Sequence, residues 1–310
     1  MTAPFYADVA DGPADGRALW LTAADGIRIR AAIWNAKAPR GTVFVLPGRT
    51  EYVEKYGRTA RDLAEAGFAT LSVDWRGQGL SARKLRDPMV GHIGDFAEYQ
   101  ADLDALVACA AAENLPRPYY LLPHSMGGCI ALRGLTRGLP FNAVAFSAPM
   151  WGILMADYMR PVAAFLSLAA SWLGFQHAYA PGTNGQTYVL TAPFTANTLT
   201  TDPEMWQYMA TQAAAHPDLS LGGPSYGWLR AALTECAALT RMPAPEYAAL
   251  CALGTAEKIV DTRPIHSLMA RWPHGRLDLY QGAEHEVLME VPSHRDAFLR
   301  SAIALFTAHP

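Results

Sequence analysis

The sequence predicts an α/β chain: a mostly parallel, doubly wound sheet interrupted by a mainly helical insertion. Three observations carry this reading. Short apolar runs that suit strands buried on both faces alternate with longer helical segments. The alternation breaks after Pro149 and resumes near Ala248. Apolar residues make up 51% of the 310 and charged residues only 17%, a composition that builds a large core and excludes intrinsic disorder.

The elements follow in order. Arg17–Thr22 and Ile27–Trp34 read as strands, and Asp25-Gly26 between them favours a hairpin turn. Thr42–Leu46 is a continuous apolar run closed by Pro47-Gly48, as expected of a buried strand. Val53–Ala66 carries a helical pattern that stops at Gly67. Ala69–Trp75 is again a buried strand. Asp95 with Glu98 makes a capping-box pattern for a helix reaching about Glu113. Tyr119–Leu122, Met126–Arg137 and Ala143–Ser147 continue as strand, helix and strand. The following stretch, rich in Trp, Met, Tyr and Ala, reads as helices and loops punctuated by Pro181-Gly182 and Gly222-Gly223-Pro224. Ala248–Leu253, Thr262–Trp272 and Leu277–Tyr280 resume the strand–helix–strand rhythm. A last helix runs from Ser293 to about Thr307, with Ser293 and Asp296 in a second capping-box pattern. This divides the chain into a core, residues 1–150 and 242–310, and an inserted cap subdomain, residues 151–241.

Composition narrows the function classes. Net charge is −3, so no basic excess exists to neutralise phosphates, and nucleic acid is not an expected partner. Cys109, Cys129, Cys236 and Cys251 lie far apart with no CxxC pair, which argues against a zinc site or disulfide framework and for reduced core thiols. Met1 to Gly12 has no Lys or Arg and no long apolar run, unlike a signal peptide. The expected location is cytoplasmic, with peripheral contact at the inner face of the membrane as the alternative. Pro161–Phe175 is the longest nearly uncharged apolar stretch, shorter than the roughly 18–20 residues of a spanning helix. Apolar on nearly all sides, it is expected to pack on the sheet domain.

Ligands of such sheets bind outside the carboxyl ends of the strands. There, Tyr119–Leu122 runs into Pro123-His124-Ser125-Met126-Gly127-Gly128 and then a helix. A serine on a sharp strand-to-helix turn is held out of the sheet as a nucleophile, and small neighbours let the backbone fold close. Pro123 stands where the GxSxG pattern has its first glycine, and an ordinary helix N-cap is the competing role for Ser125. The Met126 N–H, at a helix N-terminus, can stabilise an oxyanion. The Arg49 N–H, on the loop after Thr42–Leu46, is the expected second donor. A nucleophilic serine needs a base. His285 lies on the loop after the last strand, whereas His124 is thrown aside by the turn and His294 sits in the final helix. His285-Glu286-Val287-Leu288 is followed by Met289, so HExxH and its zinc chemistry are not present. The acid belongs on the loop after Ala248–Leu253, where Glu257 and Asp261 compete. Asp261 directly precedes a helix and suits an N-cap; Glu257 is nearer the strand end and is favoured.

Taken together, these motifs resemble the α/β-hydrolase superfamily, specifically its bacterial lysophospholipase and monoacylglycerol-lipase branch. Pro47-Gly48-Arg49-Thr50-Glu51 with Tyr56 is similar to that branch's HGxxEHxxRY oxyanion segment, with Pro47 for His and Lys55 for Arg. Asp74-Trp75-Arg76-Gly77-Gln78-Gly79-Leu80-Ser81 resembles its DxRGxGxS loop, which we read as bracing the active-site loops. Glu257 stands where the family usually has Asp. Ser147-Ala148-Pro149-Met150 and Leu221-Gly222-Gly223-Pro224-Ser225-Tyr226-Gly227-Trp228 look like the lysophospholipase type.

The resemblance implies ester hydrolysis through an acyl-serine, with Ser125, Glu257 and His285 as the triad and with no metal or organic cofactor. It implies a small amphipathic lipid substrate, a lysophospholipid ahead of a monoacylglycerol. The cap, including Pro161–Phe175, is then expected to form an acyl tunnel, leaving at most weak contact with a membrane surface. A carboxylesterase or an aminopeptidase-like amide hydrolase on the same fold is the alternative. A non-catalytic small-molecule binder is disfavoured by the intact Ser, His and acid.

Overall fold

A computed structural model describes residues 1–310. The hairpin forms where Asp25-Gly26 requires it: β2 (Arg17–Thr22) pairs antiparallel with β3 (Arg28–Trp34), Thr22 opposite Arg28. A two-residue strand, β1 (Thr2–Ala3), lies along the outer edge of β2. Six further strands follow: β4 (Thr42–Leu46), β5 (Ala69–Asp74), β6 (Tyr119–Pro123), β7 (Ala143–Ser147), β8 (Ala248–Gly254) and β9 (Gly275–Tyr280). They run parallel to one another, and the sheet order is β1-β2-β3-β5-β4-β6-β7-β8-β9. The central strands β4 to β7 are fully buried; β4, β6 and β7 are mostly apolar runs, and β5 also buries Thr70, Ser72 and Asp74.

Alternation along β4 divides the core. Phe44 and Leu46 face one cluster, while Val43 and Val45 face another. The first face is covered by α3 (Ala97–Ala112), α4 (Met126–Thr136) and α9 (Thr262–Ala270). The second is covered by α2 (Gly57–Glu65), entered through a 3₁₀ turn at Val53–Tyr56, and by α10 (Pro292–Ala308). The Asp95–Glu98 box forms: Glu98 accepts from the Asp95 N–H and Asp95 accepts from Ala97. The Ser293–Asp296 box does not. Pro292 starts that helix one residue earlier, Val291 is its N-cap with no side-chain cap, and Asp296 turns to Arg295. The four cysteines are buried and unpaired.

The segment between β7 and β8 holds α5 (Met159–Trp172), a single turn at Tyr188–Thr191, α7 (Pro203–Ala215) and α8 (Tyr226–Leu239); we label the turn α6, and another short helix at Ala7–Ala10 is α1. α8 gives Trp228, Ala231, Ala232 and Leu239 to the first core cluster, and α7 gives Met205, Trp206 and Met209 to the second. α5 contradicts the expected burial. Only Ser167 and Ala170 are buried in it, whereas Phe165 is 69% exposed, Trp172 84% and Leu173 72%. The helix meets α8, and its large apolar side chains point outward. No helix is long and apolar enough to cross a membrane.

Candidate active site

The turn between β6 and α4 sets the geometry. Ser125 has φ 47° and ψ −115°, a backbone conformation rare for a side-chain-bearing residue, and it makes no side-chain cap to α4. The turn closes only because residue 127 is glycine: a Cβ there would stand 2.2 Å from the Leu46 carbonyl oxygen. Ser125 Oγ lies 2.9 Å from His285 Nε2, and His285 Nδ1 lies 2.6 Å from Glu257 Oε2. The structure therefore brings Ser125, His285 and Glu257 into one hydrogen-bonded chain across the carboxyl ends of β6, β8 and β9. The other oxygen of Glu257 accepts from the Ile259 and Val260 N–H groups at 2.6 and 3.1 Å. Burial pushes this carboxyl up, but the His285 ring and those N–H groups outweigh it and hold it below the usual range.

Asp261 is elsewhere. It caps α9 through the Arg263 N–H and pairs with the Arg263 and Arg160 guanidinium groups. His124 also stays apart from Ser125. Its Nδ1 meets the Ser147 carbonyl at 3.1 Å, and burial, only partly opposed by Glu51, holds the ring down to about 3.

The Arg49 and Met126 N–H groups have no acceptor within the protein. Gly48 brings the first of them close, since a Cβ on Gly48 would stand 3.1 Å from Ser125 Cβ. The loop carrying Gly48 and Arg49 is clamped from two sides. Trp75 Nε1 donates to the Pro47 carbonyl at 2.8 Å, and Gln78 Nε2 to that of Gly48 at 3.0 Å. The Asp74–Ser81 loop thus physically braces this segment.

On the other side is a buried charge network whose geometry the sequence reading did not see. Glu51 accepts from the Gly48 N–H and, at 2.6 Å, from the Tyr56 hydroxyl. Lys55 Nζ joins Glu51 at 2.7 Å to Glu286 at 2.6 Å. Burial opposes the Lys55 charge, but Glu286 and Glu51 together raise its pKa above the usual lysine value. Burial likewise opposes the Glu51 charge, yet Lys55 and His124 bring it down to about 2. Glu51, His124 and Glu286 are close enough together to ligate a metal ion, but the ammonium of Lys55 already sits between the two carboxylates. No local signal in the sequence marked this network, because Glu286 meets Glu51 and Lys55 across more than 200 residues of chain.

A cavity of about 490 Å³ opens over Ser125 and His285. No residue of α5 lines it, so the expected tunnel wall from Pro161–Phe175 is absent. Its apolar wall is made instead by Val189, Leu199, Met209 and Ile259. Thr183, Asn184, Gln186, Thr187 and Ser220 are among its polar lining residues.

A family model described as Serine aminopeptidase, S33 matches residues 37–292. Lysophospholipase L2 of Escherichia coli strain K12 is 32% identical over 299 residues, 93% of this chain and 87% of that protein. A probable lysophospholipase L2 of Haemophilus influenzae is 28% identical, over 88% of this chain and 85% of its own. A soluble variant of monoglyceride lipase from Saccharomyces cerevisiae shares the fold, with TM-score 0.75 at 15% identity over 99% of both chains. The family match spans residues 37–292 and the Escherichia coli relative aligns over 93% of the chain; the chain belongs to the Serine aminopeptidase, S33 family of α/β-hydrolases.

Proposed function

We propose that the chain hydrolyses the carboxylic ester of a single-chain lipid, a lysophospholipid first and a monoacylglycerol next, through an acyl-serine intermediate. The observation that carries this is the hydrogen-bonded chain Ser125–His285–Glu257 at a cavity lined by both apolar and polar residues. The lysophospholipase names of the relatives support the substrate class.

In this reading Ser125 Oγ attacks the ester carbonyl while His285 Nε2 takes its proton. Glu257 holds the ring in the tautomer with a proton on Nδ1 and stabilises the imidazolium. The unengaged N–H groups of Arg49 and Met126 receive the oxyanion. His285 then returns the proton to the leaving alcohol and activates the water that frees the fatty acid. Residues 151–241 act as the cap and residues 1–150 and 242–310 as the core.

An aminopeptidase would need a free carboxylate for the substrate ammonium. Here the two carboxylates in the cavity wall, Glu51 and Glu286, are already held by Lys55. The test is hydrolysis across lysophospholipids, monoacylglycerols, short esters and aminoacyl amides. The reading requires the single-chain lipids to give the highest kcat/KM; faster cleavage of aminoacyl amides or two-carbon esters overturns it.

The exposed face of α5 extends the reading to how substrate arrives. From Pro161 to Thr201 the chain has no Asp, Glu, Lys or Arg, and large side chains of α5 stand in solvent. This surface lacks the cations that hold anionic lipid but matches an uncharged or zwitterionic lipid interface, with Trp172 and Tyr158 placed as interfacial aromatics. Peripheral contact with such a surface is therefore part of the proposed function.

A further inference from the structure

Arg49 is conspicuous for what its side chain lacks. Arg30 meets Glu54 and Asp74, Arg76 meets Asp102 and Asp25, and Arg133 meets Glu235. Arg83 has no carboxylate but donates to four backbone carbonyls. Arg49 makes one hydrogen bond, from Nη1 to the Gly222 carbonyl at 2.9 Å, its guanidinium lies over the Trp228 ring at 5.5 Å, and it has no acidic partner. Its Nε and Nη2 have no acceptor in the protein, yet they are not among the sealed, unsatisfied buried atoms, so they remain open to a ligand. Burial pushes the guanidinium down to about 10, which still leaves it cationic at neutral pH. A cation withdrawn from water without a counter-ion is costly, and Arg49 borders both the catalytic cavity and a smaller one beside Gly91, Tyr99 and Trp228.

Its surroundings suit an anion with oxygen atoms. Arg49 shares the cavity lining with Thr183, Asn184, Gly222 and Gly223, and Gly223 donates to the Asn184 carbonyl at 2.7 Å. The backbone of Arg49 offers an oxyanion donor, which fixes how far its side chain can lie from the scissile carbonyl. In a lysophospholipid some six bonds separate that carbonyl carbon from phosphorus, about 7 Å when extended, comparable to the reach of an arginine side chain.

We propose that Arg49 is the phosphate-recognising residue of this enzyme: its N–H receives the oxyanion while its guanidinium binds the phosphodiester of the head group. Arginine suits this role because its planar fork offers paired donors to phosphate oxygens. One residue then couples head-group recognition to the position of the scissile ester, and gives phosphate-bearing substrates an advantage over monoacylglycerols. The inference rests on the lysophospholipid reading above.

The test compares kcat/KM for a lysophosphatidylcholine and a monoacylglycerol of the same acyl chain, in the parent, Arg49→Met and Arg49→Lys. The ratio of the two should fall about 10- to 100-fold in Arg49→Met, the range for losing a charge-assisted hydrogen bond, chiefly through KM for the phospholipid. Arg49→Lys should recover part of it. If Arg49 only ties the Gly222 loop in place, both substrates fall together, the ratio is unchanged, and the proposal is overturned. A second measurement separates the two readings: glycerophosphocholine as a competitor of a neutral short ester. Competition by the parent that Arg49→Met loses supports the phosphate site even if lysophospholipids prove poor substrates, in which case the substrate reading falls alone. No competition in the parent overturns the site.

Discussion

Replacing Lys55 with methionine removes one ammonium from between two buried carboxylates. Nζ is 2.7 Å from Glu51 and 2.6 Å from Glu286, and all three side chains are about 6% exposed or less. Taking away one partner of a buried pair costs about 3–5 kcal/mol, because the remaining charge is left without compensation. At roughly 2–3 °C per kcal/mol for a chain of this size, that lowers Tm by roughly 6–15 °C. The sign of the pH dependence follows. Carboxylates deprived of Lys55 have raised pKa values in the folded state, so their penalty is absent below the unfolded carboxylate pKa and grows as pH rises. The deficit of Lys55→Met against the parent should therefore be larger at pH 8 than at pH 5. Lys55→Arg keeps the charge and should melt near the parent. Thermal and urea unfolding read these effects. A Lys55→Met protein melting within about 2 °C of the parent at pH 8 would refute the view that this network holds the Gly48 loop to the His285 loop.

Glu257→Gln should lower kcat by about 10⁴-fold, the precedent for neutralising the acid of such a triad, whereas Asp261→Asn should leave kcat within a few-fold and cost only part of the α9 cap; steady-state ester hydrolysis compares them, and the reverse order would move the acid to Asp261. His124 binds a proton in the unfolded chain below about 6.5 but in the folded protein only near 3, so stability falls as pH drops below 6.5, by about 2 kcal/mol at pH 5. His124→Gln should flatten that slope in urea unfolding, and an unchanged slope would place the loss elsewhere. Phe165→Asp with Trp172→Asp should weaken binding to phosphatidylcholine vesicles by roughly 100-fold or more, since each apolar side chain gives up about 1.5–3 kcal/mol of burial; sedimentation with vesicles measures it, and undiminished binding would remove α5 from the lipid contact.

The sheet was legible because its central strands are buried on both faces and read as plain apolar runs; Thr42–Leu46 and Ala143–Ser147 match the observed strands end to end. Helix starts were legible to within one or two residues: Asp95 accepts from the Ala97 N–H at the start of α3, and Pro292 starts the last helix one residue before Ser293. Ser125, His285 and Glu257 could be picked out because each follows a strand whose carboxyl end points to one place. The burial of α5 was misread for a physical reason. Periodicity says a helix apolar all round must be covered, but not by what, and the residues of α5 that end up fully buried are the small Ser167 and Ala170. The Glu51–Lys55–Glu286 network and the unpaired Arg49 were out of reach because they join segments distant in sequence, and no local pattern records that meeting.

The central claim is that Ser125, activated by His285, is the nucleophile. Treating the folded protein with a fluorophosphonate and measuring intact mass with peptide mapping tests it most directly. The parent should gain one phosphonyl group, on Ser125, with loss of ester hydrolysis, and Ser125→Ala should gain none and retain on the order of 10⁻⁶ of the parental kcat. Label on another residue, or ester hydrolysis that survives in pure Ser125→Ala protein, would contradict it.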